Sequence, residues 1–224
     1  MSKSTRRPVW DTRTLATIAM LTAVAYVVMC VCKIIPSVMG FLDFDFKDVV
    51  ICIGGFTLGP TVAAVISILV AVIEFITVSA TGIIGLIMNI LATTSFCCTA
   101  CYIYKKHHTM KGAVMGLSAG VVALVCVMLL WNYLVMPLYN PDVTRETVLA
   151  LMPTVLLPFN LAKGGMNMAA TLLLYKPVVT ALRRARLVPP SDSQPRKTSA
   201  GFILFSLALL ATFVTIALVL LGIL

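Results

Sequence analysis

Five polar residues interrupt long apolar stretches of the chain, and their types suit hydrogen bonding to a small molecule. They are Glu74, Asn89, Asn132, Asn160 and Lys163. An ionisable side chain inside a membrane span costs roughly 2.5–3.5 kcal/mol on insertion scales, so each such residue is expected to face a partner or a cavity. Asparagine both donates and accepts hydrogen bonds, and lysine donates to carbonyl groups. The set therefore predicts a binding cavity rather than bond-making chemistry.

The last apolar stretch carrying these residues adds an argument from spacing. Asn160, Lys163 and Asn167 are separated by three and four residues, so they share one face of a helix. Gly164 would let a neighbouring helix or a flat ligand approach the backbone closely. Two structural alternatives stay open here: Lys163 forms an ion pair with Glu74, or it extends to the membrane interface.

A second polar segment precedes the short apolar run at residues 48–58. From Phe41 to Asp48, aromatic rings and carboxylates largely alternate. In an extended chain alternate residues point to opposite sides, so this segment can cover a cavity with its rings facing inward. Phe44 and Asp45 are therefore candidate ligand-binding residues. The alternative is a belt of aromatic residues at the membrane interface.

The composition requires a membrane environment for these residues. Of the 224 residues, 60% are hydrophobic and 11% are charged, whereas soluble domains contain about 45–50% apolar and about 25% charged residues. A span needs about 20 apolar residues, and the runs here are uniformly apolar rather than alternating, which excludes a β-barrel. We predict an all-α membrane protein: a six-helix bundle, whose second helix is too short to cross alone, plus an additional C-terminal transmembrane helix. The predicted spans are 14–35, 48–58, 60–79, 82–104, 112–136, 156–182 and 199–223.

The charge distribution predicts the orientation and the domain limits. The net charge of +9 comes from basic clusters that flank the apolar runs, which indicates cytoplasmic ends rather than nucleic-acid binding. This places the N-terminus in the cytoplasm, the chain in the cell membrane in contact with lipid, and the polar residues of the spans in their outer halves. The predicted divisions are a cytoplasmic tail at 1–13, a binding domain at 14–186, a linker at 187–198 and the additional helix at 199–224.

Catalytic and metal-binding signals are weak. No nucleotide-binding loop, nucleophile elbow or zinc-protease motif occurs in the sequence, so we predict no catalytic residues and no enzyme. Cys97, Cys98 and Cys101 precede His107 and His108, which leaves a metal protein or membrane enzyme as an alternative. Cysteine is also a small apolar residue common at helix contacts, and packing is the favoured interpretation.

A stripe of small residues occurs in the first span. Ala16, Ala19 and Ala23 lie on one helical face, which permits close contact with another helix in lipid. The stripe is therefore a candidate partner-binding surface.

Four groups of segments carry a resemblance to a known family: 44–48 with 53–56 and Gly59–Pro60, then 85–89, then 132–133 with 137–139, and finally 157–164 with 174–177. Together they resemble the substrate-binding (S) components of energy-coupling factor (ECF) transporters, and most closely the riboflavin-specific subfamily. The resemblance covers about residues 14–182.

The resemblance implies a six-helix protein that binds a vitamin, riboflavin or FMN, from outside the cell. It implies a transmembrane coupling subunit and two ABC-type ATPases as partners, with Ala19 and Ala23 contacting the coupling subunit. Ligand contacts carry over to Asn132, Asn160 and Lys163, and also to Asn89 and Phe44. An S component for another vitamin, or a stand-alone secondary transporter with Glu74 and Lys163 as a proton relay, remains the alternative.

Overall fold

The computed structural model describes residues 11–40, 42–79, 81–139, 143–188 and 199–224. Nearly all of these residues are helical. A π-helical turn, Met152–Leu156, joins α6 to α7. The helices are α1 (Thr12–Cys32), α2 (Lys47–Leu58), α3 (Pro60–Thr77), α4 (Gly82–Lys106), α5 (Met110–Tyr139), α6 (Arg145–Leu151), α7 (Leu157–Arg184) and α8 (Ala200–Leu220).

The predicted helical membrane fold is confirmed. Among the described residues, six helical segments are long and apolar enough to cross a membrane: α1, α3, α4, α5, α6 with α7, and α8. Helix α2 has 12 residues and is shorter than a span. The sequence predicts a simple connection before α7, but the chain forms α6 and the π-helical turn there. The domain limits stay predictions, and residues 1–10 and 189–198 of the predicted tail and linker lie outside the described part.

A glycine-proline pair divides α2 from α3. Gly59 has a φ angle of +108°, which side-chain-bearing residues rarely adopt. Pro60 then occupies the first turn of α3, where its missing N–H leaves no hydrogen bond unmade. The reversal lets α3 run back along α2 and brings Glu74, near its end, close to Lys47 at the start of α2.

Helices α4 and α5 approach each other almost backbone to backbone. A Cβ atom at Gly116 would lie 2.7 Å from the carbonyl oxygen of Ala100, and one at Gly120 would lie 2.7 Å from that of Phe96. Glycines four residues apart allow such close packing in membranes. The pair fixes the position of α4, which carries Asn89 into the site described next.

Candidate ligand-binding site

A cavity of about 440 Å³ lies at the end of the bundle where α1 and α3 finish and α4 begins, here called the pocket end. Small-molecule sites usually have about 300–1,000 Å³, so the space suits a ligand of vitamin size. Its wall comes from the connection between α1 and α2 and from α3, α4, α5 and α7. The charged and amide residues in the wall are Lys33, Asp43, Asp45, Glu74, Asn89, Asn160 and Lys163.

Helix α7 holds the α1–α2 connection against the cavity through Lys163 and Asn167. The Lys163 Nζ atom donates to Asp45 Oδ2 at 2.8 Å and to the Asp43 carbonyl oxygen at 3.0 Å. One turn further along, Asn167 Nδ2 donates to the Asp45 carbonyl oxygen at 2.9 Å. Burial would raise the pKa of Asp45, but Lys163 and Lys47 outweigh it and lower that pKa to about 2. Asp45 is therefore a carboxylate at neutral pH.

A second ion pair lies beside the first, since Lys47 Nζ is 3.8 Å from the Asp45 Oδ2 atom that Lys163 binds. Lys47 is only 2% exposed, and its Nζ donates to Glu74 Oε2 at 2.7 Å and to Asn89 Oδ1 at 3.2 Å. The other Glu74 oxygen, Oε1, lies 3.4 Å from Lys33 Nζ. The Lys163–Glu74 pair that the sequence leaves open is therefore wrong: Lys163 pairs with Asp45 and Glu74 pairs with Lys47, because the start of α2 inserts between α3 and α7.

Lys33 and Asp43 form an ion pair at the mouth of the cavity, where both side chains are partly exposed. Burial lowers the pKa of Lys33, but the hydrogen bond and the charge of Asp43 outweigh this and raise it. Lys33 therefore stays charged at neutral pH.

The structure brings together five of the nine predicted ligand-binding residues. Asp45, Glu74, Asn89, Asn160 and Lys163 all lie in the cavity wall. The other four lie outside that wall: Phe44, Asn132, Gly164 and Asn167. Direct ligand contact stays a prediction for the first group.

Asn132 and Asn160 make the same local hydrogen bond but face different surroundings. Each Nδ2 donates to the carbonyl oxygen four residues earlier at 2.7 Å. Asn160 lines the cavity beside Lys163. Asn132 is 1% exposed, and no partner for its Oδ1 atom occurs within the described ranges. Met128, one turn earlier on α5, lines the cavity in its place.

Phe44 is not among the residues that line the cavity, and its role in binding stays a prediction. Its ring packs on Phe159 with the centroids 4.7 Å apart. Leu42, Asp43 and Asp45 of the same segment line the cavity. The segment is not a simple extended strand, because Leu42 forms an isolated bridge with Val38. Phe159 supplies the aromatic surface in the wall.

Two further predicted residues, Gly164 and Asn167, hold α7 against its neighbours. Gly164 lets α7 approach α5, since a Cβ there would lie 3.2 Å from side-chain atoms of Leu124 and Val121. Asn167 binds the backbone of the α1–α2 connection, as described above.

Sequence reasoning missed Lys33, Asp43, Lys47 and Phe159. Lys47 stands next to Asp48 at the edge of a short apolar run, where a charged residue is usually expected to lie in a solvent-exposed loop. The available signal was that a lysine flanked by carboxylates two residues before and one residue after can be buried as part of an ion-pair network.

Two of the three clustered cysteines, Cys97 and Cys101 of α4, pack against Cys52 of α2. Cys52 and Cys97 have their Sγ atoms 3.3 Å apart, and Cys101 Sγ lies 3.8 Å from the Cys52 carbonyl oxygen. Within the described ranges, no group of three or more His, Cys, Asp or Glu residues is arranged to hold a metal. His107 and His108 are exposed.

The alanine stripe and the basic residues lie on accessible surfaces. Ala16, Ala19 and Ala23 are exposed on α1. The start of α1 meets the end of α7, because Thr17 Oγ1 donates to the Leu187 carbonyl oxygen at 3.2 Å. This end of the bundle, opposite the pocket end, is here called the basic end after its residues Arg13, Lys105, Lys106, Lys111, Arg183, Arg184 and Arg186.

Comparisons with known proteins agree with this architecture. A family model described as "ECF transporter, substrate-specific component" matches residues 13–175. The riboflavin transporter RibU of Staphylococcus aureus is 30% identical over 176 residues, covering 76% of this chain and 92% of RibU. The riboflavin transporter FmnP of Bacillus subtilis is 27% identical, covering 77% of this chain and 97% of FmnP.

A solved structure described as the S component of a bacterial ECF transporter superposes with a TM-score of 0.64. It is 30% identical in sequence and covers 76% of this chain and 97% of its own. Helix α8 begins beyond the residues that the family model matches.

Proposed function

The chain belongs to the family of substrate-specific components of ECF transporters, and we propose that it captures riboflavin at the outer surface of the cell membrane. It is a transport component, not an enzyme. The observation that carries the proposal is the cavity at the pocket end, where Asn160 and Lys163 of α7 meet buried carboxylates. Relatives named as riboflavin transporters support the choice of vitamin.

The wall of the cavity suits the two halves of a flavin. Riboflavin has a flat, apolar ring system with a hydrogen-bonding pyrimidine edge and a chain of hydroxyl groups. Met88 and Phe159 offer apolar and aromatic surface to the ring. Asn160 and Lys163 can bond to the carbonyl and N–H groups of the edge, and Asn89 can accept from a hydroxyl group.

The charges of the wall favour riboflavin over FMN. The three carboxylates, of Asp43, Asp45 and Glu74, are each paired with an ammonium group, of Lys33, Lys163 and Lys47 respectively. FMN carries a phosphate of about −1.5 to −2 charge at neutral pH, and these pairings leave none of the three ammonium groups free to bind it. Competition of FMN against bound riboflavin tests this point: we expect weaker binding of FMN, and equal affinity would contradict the charge argument.

The orientation and the partners complete the proposal. The basic end is cytoplasmic, since lysine and arginine concentrate on the cytoplasmic side of membrane proteins. This puts the N-terminus inside and opens the cavity outward. As an ECF component the chain works with other ECF subunits; specifically, a transmembrane coupling subunit and two ABC-type ATPases supply the energy. The exposed face with Ala16, Ala19 and Ala23 contacts the coupling subunit.

Mass spectrometry of the small molecule that co-purifies with the protein tests the identity of the ligand. Riboflavin is the expected result. A different vitamin would overturn the flavin assignment and leave the family intact.

The partner surface is tested by Ala19→Trp, with Val24→Trp as a control at an exposed position of α1 off the stripe. Vitamin uptake by cells that express the whole transporter should be abolished by the first change only, while riboflavin binding by the purified protein is unchanged. Normal uptake by the Ala19→Trp variant would remove the stripe from the interface.

A further inference from the structure

Helix α8 begins at Ala200, beyond the residues 13–175 that the family model matches, and it packs along α7. We propose that α8 is a working part of the binding site: through Phe213 it holds α7 at Gly165 and so keeps Lys163 aligned with the cavity. The inference rests on the proposed function, because it assigns a positioning role in flavin binding.

Three consecutive residues of α7 point to three different neighbours. Successive residues of a helix are rotated by about 100°. Lys163 faces the cavity. The Gly164 position faces α5, where a Cβ would meet Leu124 at 3.2 Å. The Gly165 position faces α8, where a Cβ would overlap the ring of Phe213. Helix α7 is therefore held from both flanks at the level of its lysine.

The two glycines make this part of α7 dependent on its neighbours. Glycine in a helix interior is less favourable than alanine, because it loses more backbone freedom on folding. Because neither glycine has a side chain to pack, the position of the segment is determined by what fills the space around it. On the α8 side that space is occupied by Phe213.

The same side of α8 also supports the aromatic part of the cavity wall. Ala217 on α8 is buried in one hydrophobic cluster with Phe44 and Phe159. Phe159 lines the cavity, and Phe213 packs against that cluster. Removing the ring of Phe213 would thus loosen both the wall and the helix that carries Lys163.

The test compares two phenylalanines on α8 in the full-length protein. The ring of Phe213 packs against Gly165, in the space that a side chain at that position would occupy. Phe205 is 50% exposed on the same helix. If only about a tenth of Phe213→Ala molecules hold α7 correctly, the Kd for riboflavin rises roughly tenfold. Titration of riboflavin fluorescence should show this rise in Kd, with the Kd of Phe205→Ala close to that of the unmodified protein. Equal Kd values for the two variants would overturn the proposal.

Two further variants separate positioning from folding. Phe213→Leu retains apolar volume and should restore most of the affinity. If Phe213→Ala does not fold, Gly165→Ala is the measured variant. Gly165→Ala should also raise the Kd, because the added methyl group displaces the Phe213 ring. An unchanged Kd in Gly165→Ala would contradict the packing of Phe213 on Gly165.

A measurement without ligand keeps this inference distinct from the proposed function. Hydrogen exchange of the amides between Asn160 and Met168 should be faster in Phe213→Ala than in Phe205→Ala. If the unmodified protein does not bind riboflavin, the proposed function fails, and this exchange comparison alone decides the role of α8. Identical exchange in both variants would refute it.

Discussion

At the pocket end the helices meet through buried ion pairs, whereas toward the basic end they meet through aromatic rings and small residues. Lys163 and Lys47 reach Asp45 and Glu74 at 2.8 and 2.7 Å. Toward the basic end, the rings of Phe56 and Tyr104 stack with centroids 4.3 Å apart.

The hydroxyl groups of Tyr104 and Tyr175 lie 2.7 Å apart and join α4 to α7. Nearby, Gly55 allows α2 to approach Cys101 on α4 closely. These contacts close the bundle, while the pocket end combines charge with empty space. The difference predicts that the proposed ligand enters and leaves at the pocket end, where a polar molecule can complete the network, and that charge changes act far more strongly there.

The largest effect is expected from Lys47→Met. Breaking a buried ion pair from one side costs about 3–5 kcal/mol, because the remaining charge stays buried. Thermal unfolding of the purified protein should therefore occur at a much lower temperature. Lys111→Met, at an exposed position of the basic end, is the control and should have almost no effect. Similar unfolding temperatures for the two variants would remove the contrast between the ends.

Lys47 also illustrates what the sequence reveals and what it hides. The spans were predictable because membrane helices need long apolar runs, and Glu74, Asn89 and Lys163 were predictable because charged and amide groups are costly in such runs. The partner of each charge was not predictable, since pairing depends on how α2 inserts between α3 and α7.

The rotation of each helix about its own axis could not be predicted from the sequence either. Asn132 and Asn160 have the same residue type and lie in similar apolar runs, yet one is enclosed and the other lines the cavity. Only the packing of α5 and α7 distinguishes them. Phe44 shows the same limit for a loop, because alternation predicts two faces but not which face meets the cavity.

This pair gives the second prediction. Asn160→Ala should weaken riboflavin binding by roughly 3–10-fold, the loss of one hydrogen bond of about 0.5–1.5 kcal/mol. Asn132→Ala removes an equivalent bond to the backbone outside the cavity and should leave the affinity unchanged. Isothermal titration of both variants checks the difference. A larger loss in Asn132→Ala would mean that the cavity wall has been assigned to the wrong asparagine.

A smaller change is expected from Tyr104→Phe near the basic end. The variant loses the hydrogen bond to Tyr175 but keeps the stacked ring, so stability should fall by about 1 kcal/mol. The Kd for riboflavin should not change. A clear loss of affinity would show that the two ends are coupled rather than independent.

The smallest effect concerns pH. The pKa of Asp45 lies at about 2, below its usual 3.8. A lowered pKa contributes stability that is fully present above about pH 4 and is lost as the pH falls toward 2. We therefore expect no contribution of Asp45 to any change in affinity between about pH 5 and about pH 8. A step in this range that disappears in Asp45→Asn would contradict the ionised state.

The central claim is that Lys163 helps hold a flavin in the cavity at the pocket end, and titration of riboflavin fluorescence tests it most directly. The unmodified protein should quench the fluorescence on binding. Lys163→Met should bind about 10–100-fold more weakly, as expected for loss of a charged hydrogen bond of about 1.5–3 kcal/mol. Lys105→Met, exposed at the basic end, should match the unmodified protein. Equal affinity in all three proteins would contradict the account.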